Sequence, residues 1–113
     1  MPRYQMVVLS NPVEGREDEY NDWYQNVHLA QVVAFKGIQS AQRLRLSNNL
    51  IEGKAWPYAA IYRIESDDIE GLLQDFRASA GTERMTMSDA LDTAGAYAAI
   101  YEECGAVVEA KRS

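Results

Sequence analysis

Near the start of the chain a strand-like run passes into an aromatic helical stripe, and this order restricts the folds open to the molecule. Tyr4 to Ser10 is rich in β-formers and ends at Asn11-Pro12, a turn signal, so it reads as a first strand. Beyond Gly15, the residues Tyr20, Trp23, Tyr24 and Val27 fall at i, i+3, i+4 and i+7, one face of a helix. Glu14, Glu17, Asp18 and Glu19 crowd its start, where the helix dipole favours negative charge. At about 100° per residue, Leu29 and Val33 lie on the opposite side from Tyr20 and Val27. The helix is therefore expected to bend or stop just after His28, with Leu29 to Phe35 a separate turn ended by Gly37.

The same signals place the remaining elements. Ile38 to Leu46 reads as a second strand, followed by a polar loop from Ser47 to Gly53. Trp56-Pro57 opens a third strand, Tyr58 to Glu65. Asp67 and Glu70 form a capping-box-like start to a second helix with Ile69, Leu72, Leu73, Phe76 and Ala80 as its stripe, stopped by Gly81. Met85 to Leu91 reads as a short helical piece and Tyr97 to Glu102 as the last strand. The order β-α-β-β-α-β is the split unit of ferredoxin-like α+β domains, with both helices on one face of an antiparallel sheet. At 113 residues, with 47 % hydrophobic and 25 % charged residues, the chain is expected to form one such domain over residues 1–113.

Strand alternation assigns the two sheet faces. Met6, Val8, Leu44, Leu46, Tyr58, Tyr62 and Ile64 suit packing against the helices. Val7, Leu9, Ala41, Ile61, Ala98 and Ile100 then share the other face with Arg43, Arg45, Arg63 and Glu102. A solvated face should be more uniformly polar, so this pattern is expected to mark a homodimer interface through the sheet. Two sheets paired face to face close an eight-stranded dimeric α/β barrel.

Charge and composition exclude several function classes. A net charge of −6 repels phosphate backbones, and the only local basic pair is Lys111-Arg112, so no nucleic-acid partner is expected. Cys104 is the single cysteine, which precludes an intrachain disulfide, and Glu102-Glu103 beside it disfavour a thiolate. The Met6–Leu9 run is too short for a signal-peptide core or a membrane span, so a cytoplasmic protein with no membrane partner is expected. No Gly-rich phosphate loop, HExxH or G-x-S-x-G is present, and one histidine cannot build an ordinary zinc site. The expectation is chemistry or binding without metal or cofactor.

His28, the only histidine, is the natural candidate for proton transfer near neutral pH. Placed at a helix end, it would be favoured in its protonated form by the dipole, and it would also serve as a simple cap through a carbonyl. Both roles stand open on the sequence. Tyr24, one turn earlier, can face the same space. Trp23, Tyr24, Tyr58, Tyr62 and Tyr97 are core aromatics or, in part, the walls of a pocket for a small hydrophobic or aromatic ligand. Arg43 and Arg45 share a strand face and would hold a carboxylate or form rim charges. Asn11 and Asp89 lie where loops carry function or make plain turns.

The run Asn11-Pro-Val-Glu-Gly-Arg-Glu-Asp-Glu-Tyr-Asn-Asp-Trp-Tyr-Gln-Asn-Val-His28-Leu resembles the start of EthD-like proteins of the dimeric α/β-barrel superfamily. A Trp-Tyr pair ahead of His-Leu is typical there, as is a turn into an Ala-Gln-Arg strand, here Gly37 to Arg43. Met85-Thr86-Met87-Ser88-Asp89 resembles a later recurring segment. Ala30 and Lys36 depart from the pattern, each standing where proline is common. The wider superfamily includes cofactor-free monooxygenases, cyclases, decarboxylases, isomerases and haem-degrading enzymes. By that likeness His28 would carry proton transfer on a hydrophobic or aromatic carbonyl compound, Tyr24 would assist, and Trp23 would wall the pocket. The alternatives are a non-catalytic ligand-binding or accessory protein, and haem binding with His28 as axial ligand.

Overall fold

A computed structural model describes residues 1–111, so Arg112 of the C-terminal basic pair lies outside the described residues. The elements are β1 (Arg3–Ser10), α1 (Glu17–Trp23), a π-helical turn (Tyr24–His28), α2 (Leu29–Val33), β2 (Ile38–Arg45), β3 (Tyr58–Glu65), α3 (Ile69–Ser79) and β4 (Tyr97–Glu102). The sheet is antiparallel throughout, in the order β2-β3-β1-β4. This is the ferredoxin-like arrangement expected from the element order. The core lies between one sheet face and the helices. Tyr20, Trp23, Tyr24, Leu29, Val32, Phe35 and Leu72 pack there against Ile38, Tyr58, Ala60, Tyr62 and Ile64. Phe35, just beyond α2, and Phe76 of α3 have ring centroids 4.8 Å apart and join the two helical segments over the sheet.

The first helix does not stop after His28. It runs on through the π-turn, where the Leu29 N–H donates to the carbonyl of Tyr24, five residues back. One extra residue is thereby wound into the turn. The added residue rotates the downstream helix, so that Leu29 and Val32 join the side carrying Tyr20 and Tyr24, and Val27 turns out to 38 % exposure. The aromatic stripe and the aliphatic segment, opposed on an ideal helix, thus form a single buried face.

A similar one-residue shift corrects the face assignment of β2. Ile38 pairs with Ile64, but beyond an irregularity between Ile38 and Ser40 the partners are Ala41 with Tyr62, Arg43 with Ala60 and Arg45 with Tyr58. A bulge switches which residues face the core. Ala41, Arg43 and Arg45 therefore lie on the helix side, and Leu44 lies opposite, where it and Leu46 are about half exposed. In β4 both alternating sets are largely apolar, and the register decides. Ala98 pairs with Val8, Ile100 with Met6 and Glu102 with Tyr4, all on the helix side, which leaves Tyr97, Ala99 and Tyr101 on the open face. Val7, Leu9, Ile61 and Arg63 are on the open face as expected.

Three smaller corrections concern termini and loops. The α3 cap is Asp68, whose carboxylate accepts from the Gly71 N–H at 2.9 Å, one residue beyond the expected Asp67. Ala80 is exposed, and Ser79 takes the buried position at the helix end. Residues 85–91 are not helical: an isolated bridge joins Met85 to Ala80 and another joins Leu91 to Pro12. Gly37 is at φ +98°, with space for a Cβ only 3.0 Å from the Glu65 carbonyl, so the turn into β2 requires glycine. No helix among the described residues is long and apolar enough to cross a membrane.

Candidate functional site

The π-turn that keeps the core continuous also sets His28. His28 lies five positions after Trp23, and the wider turn stacks their rings, with centroids 4.5 Å apart and planes 27° from parallel. Tyr24 meets the same imidazole edge-on at 5.1 Å. The imidazole Nδ1 is buried and has no hydrogen-bond partner. Burial lowers its pKa from 6.5 to about 4, so His28 is neutral at pH 7. This reverses the expected dipole effect, because His28 sits within the helix rather than at its end and caps no carbonyl.

His28 borders a cavity of about 360 Å³ between the helices and the β1/β4 half of the sheet. Met6, Val8, Phe76, Met85, Met87 and Leu91 make its walls almost wholly apolar. Tyr62, on β3, also lines the cavity; its hydroxyl is buried close to Tyr24, and burial raises its pKa, with Tyr24 adding to the effect. Burial also raises the Tyr24 pKa, so both phenols stay protonated near neutrality. An apolar space with a histidine and two tyrosines among its lining residues is a common form of small-ligand site.

The segment expected to be helical instead forms one wall of the cavity. The Asp92 N–H donates to the Asn11 carbonyl at 3.0 Å, and the Val13 N–H donates to that of Ala90. Trp23 Nε1 donates to the Thr86 carbonyl at 3.2 Å, while Gln31 Oε1 accepts from the Thr86 N–H at 2.8 Å. These bonds hold Met85, Met87 and Leu91 over the helix-sheet gap. The apolar residues of that segment were visible in the sequence, but their helical reading hid their role as a cover.

Of the candidate residues, the fold brings together His28, Tyr24, Trp23 and Tyr62 around the cavity. Asn11 is half-buried and ties the covering segment, and Asp89 is exposed in a turn; neither lines the cavity. Arg43 lies on the far side of Tyr24. Its guanidinium is 4.9, 5.1 and 5.5 Å from the ring centroids of Tyr24, Tyr58 and Tyr20, and it donates to Asn21 Oδ1 at 2.7 Å. Tyr58 donates to Glu17 and accepts from Asn21, completing a polar network behind the site. Among the described residues no group of three His, Cys, Asp or Glu side chains is placed to hold a metal.

The fold and this cavity define a small α+β protein of the ferredoxin-like type. Comparison with solved structures gives the same fold. A protein from Shewanella loihica PV-4, described as a candidate monooxygenase, is 17 % identical with a TM-score of 0.58, covering 97 % of this chain and 99 % of its own. An ethyl tert-butyl ether D (EthD) family protein from Bacillus halodurans C-125 is 13 % identical with a TM-score of 0.51, covering 92 % and 100 %. The second belongs to the family that the Trp-Tyr…His-Leu run resembles. No protein-family model matches the chain, and no curated protein matches it.

Proposed function

We propose that this chain is an EthD-like protein that transfers a proton, without metal or cofactor, on an apolar compound bearing a carbonyl oxygen. The observation that carries the reading is a neutral, desolvated His28 lining an apolar cavity together with Tyr24 and Tyr62. The His28 imidazole would take a proton from the carbon next to the carbonyl, and a tyrosine hydroxyl would donate a hydrogen bond to the oxygen as it gains charge. The resulting imidazolium and oxyanion would offset each other within the apolar walls, which suits a base that burial keeps neutral beforehand.

Exchange of the α-protons of 2-tetralone in deuterated water, followed by NMR, tests this directly. The wild-type protein should accelerate exchange, and His28→Ala should lose about 10²- to 10⁴-fold of that acceleration. Binding of 2-tetralone without accelerated exchange would favour the ligand-binding alternative. A haem titration that shifts the Soret band in wild type but not in His28→Ala would replace both with the axial-ligand reading.

The partner proposed for the open sheet face is a second copy. Val7, Leu9, Leu44, Ile61, Tyr97 and Tyr101 share that face, and Leu44 and Tyr101 are 48 % and 53 % exposed. Such an apolar centre supports pairing of two sheets. Ile61→Lys should shift the mass measured by light scattering from two protomers to one. A wild type that already runs as a monomer at micromolar concentration would end this proposal.

A further inference from the structure

We propose that Arg43 is a positioning residue of the site: its guanidinium fixes the Tyr24 ring against His28 and makes Tyr24, rather than Tyr62, the hydrogen-bond donor to the ligand oxygen. This rests on the reading above, which requires a tyrosine donor. The irregularity in β2 turns Arg43 onto the helix side of the sheet, opposite Ala60. There its guanidinium lies over three tyrosine rings, and Tyr24 is the nearest, with the ring centroid 4.9 Å away. Donation to Asn21 Oδ1 at 2.7 Å holds the guanidinium in place, and Asn21 in turn donates to the Tyr58 hydroxyl. The same Tyr24 ring packs on His28, 5.1 Å between centroids. Arg43 is not among the residues lining the cavity, so it acts through Tyr24.

A cation over a phenol ring favours negative charge on its oxygen, and so strengthens the hydroxyl as a donor to a developing oxyanion. Tyr24 is faced by Tyr20 from α1, His28 from the π-turn, Arg43 from β2 and Tyr62 from β3. With His28 neutral, Arg43 is the one full charge in that set. It makes no ion pair among the described residues, and Glu17 meets the cluster through the Tyr58 hydroxyl. The two cavity phenols also differ. Burial raises the pKa of each; the hydroxyls fall short of full hydrogen-bond geometry, but their interaction opposes burial at Tyr24 and adds to it at Tyr62. That is the sense expected when Tyr62 turns its proton towards the Tyr24 oxygen, which leaves the Tyr24 proton to be offered elsewhere. The charge of Arg43 lowers the pKa of both, and it lies over the ring of Tyr24.

Biosynthetic replacement of tyrosine by the more acidic 2,3-difluorotyrosine lets fluorine NMR follow each phenol as the pH is raised, with Tyr24→Phe and Tyr62→Phe assigning the signals. Tyr24 should ionise before Tyr62, an order read without any change at Arg43. Arg43→Gln should lower the Tyr24 ionisation constant about tenfold, and Arg43→Lys should restore most of it. In 2-tetralone exchange Arg43→Gln should lower kcat about tenfold with KM unchanged, and should cost nothing further in a Tyr24→Phe background. Tyr62 ionising first, a Tyr24 ionisation constant unmoved by Arg43→Gln, no restoration by lysine, or an equal loss in the Tyr24→Phe background would overturn the proposal. The expected titrations in a protein that exchanges no 2-tetralone would sink proton transfer alone; exchange indifferent to Arg43 would sink this inference alone.

Discussion

Stability should fall as the pH is lowered from about 6.5 towards 4, and His28→Ala should remove much of that dependence. In the folded chain burial lowers the His28 pKa to about 4, whereas the unfolded chain titrates near its ordinary 6.5. Between these values the unfolded state binds more protons, so acid favours unfolding. The stabilising contribution is present in full above about 6.5 and is lost by about 4, a change of up to about 3 kcal/mol. Urea midpoints of wild type and variant, at one protomer concentration, measure it. A wild-type midpoint that is flat from pH 7 to 4.5 would show that His28 is not held neutral. At fixed pH above 7, a midpoint unchanged or raised by the substitution would mean that His28 is kept at some cost to stability, as residues of working sites often are.

One alanine inserted after Asn26 is expected to abolish cooperative folding, whereas deletion of Val27 should leave the fold intact. The π-turn already contains one residue more than an α-helical turn, and that residue brings Leu29, Val32 and Phe35 to the buried side. A further residue rotates all three away from the core. Large core truncations cost about 2–5 kcal/mol each, and three together rival the about 5–15 kcal/mol that holds a typical domain folded. Deleting the exposed Val27 relaxes the turn to ordinary α-helix while both stripes stay aligned. Circular dichroism melts of the two variants decide the matter. A well-folded insertion variant would show that the helix register is not fixed by the core.

The two one-residue shifts separate what was legible in the sequence from what was not. Element order was legible because strand and helix periodicities alternate cleanly: β3 at Tyr58–Glu65 and β4 at Tyr97–Glu102 lie where their patterns place them. The likeness of Trp23-Tyr24…His28-Leu29 to EthD-like proteins and the proximity of Tyr24 to His28 were legible too, since local spacing fixes both. Opposed stripes on an ideal helix correctly marked an irregularity at residues 24–28, but not its kind. An extra residue can end a helix or widen one turn, and the gain from burying Leu29, Val32 and Phe35 favours the wider turn. In β2 the bulge near Gln39 likewise moved Arg43 beneath Tyr24 and Leu44 to the open face.

The sequence alone therefore determined the order of elements, the acidic surface and the lone histidine beside two aromatics. Tertiary structure decided the protonation state of His28, because desolvation depends on what packs around a residue rather than on its neighbours in the chain. It also decided that Tyr62, 34 positions away on another strand, shares the cavity, and that residues 85–91 cover it instead of coiling. Such choices rest on long-range backbone bonds, such as Asp92 to Asn11 and Val13 to Ala90, which no local pattern encodes.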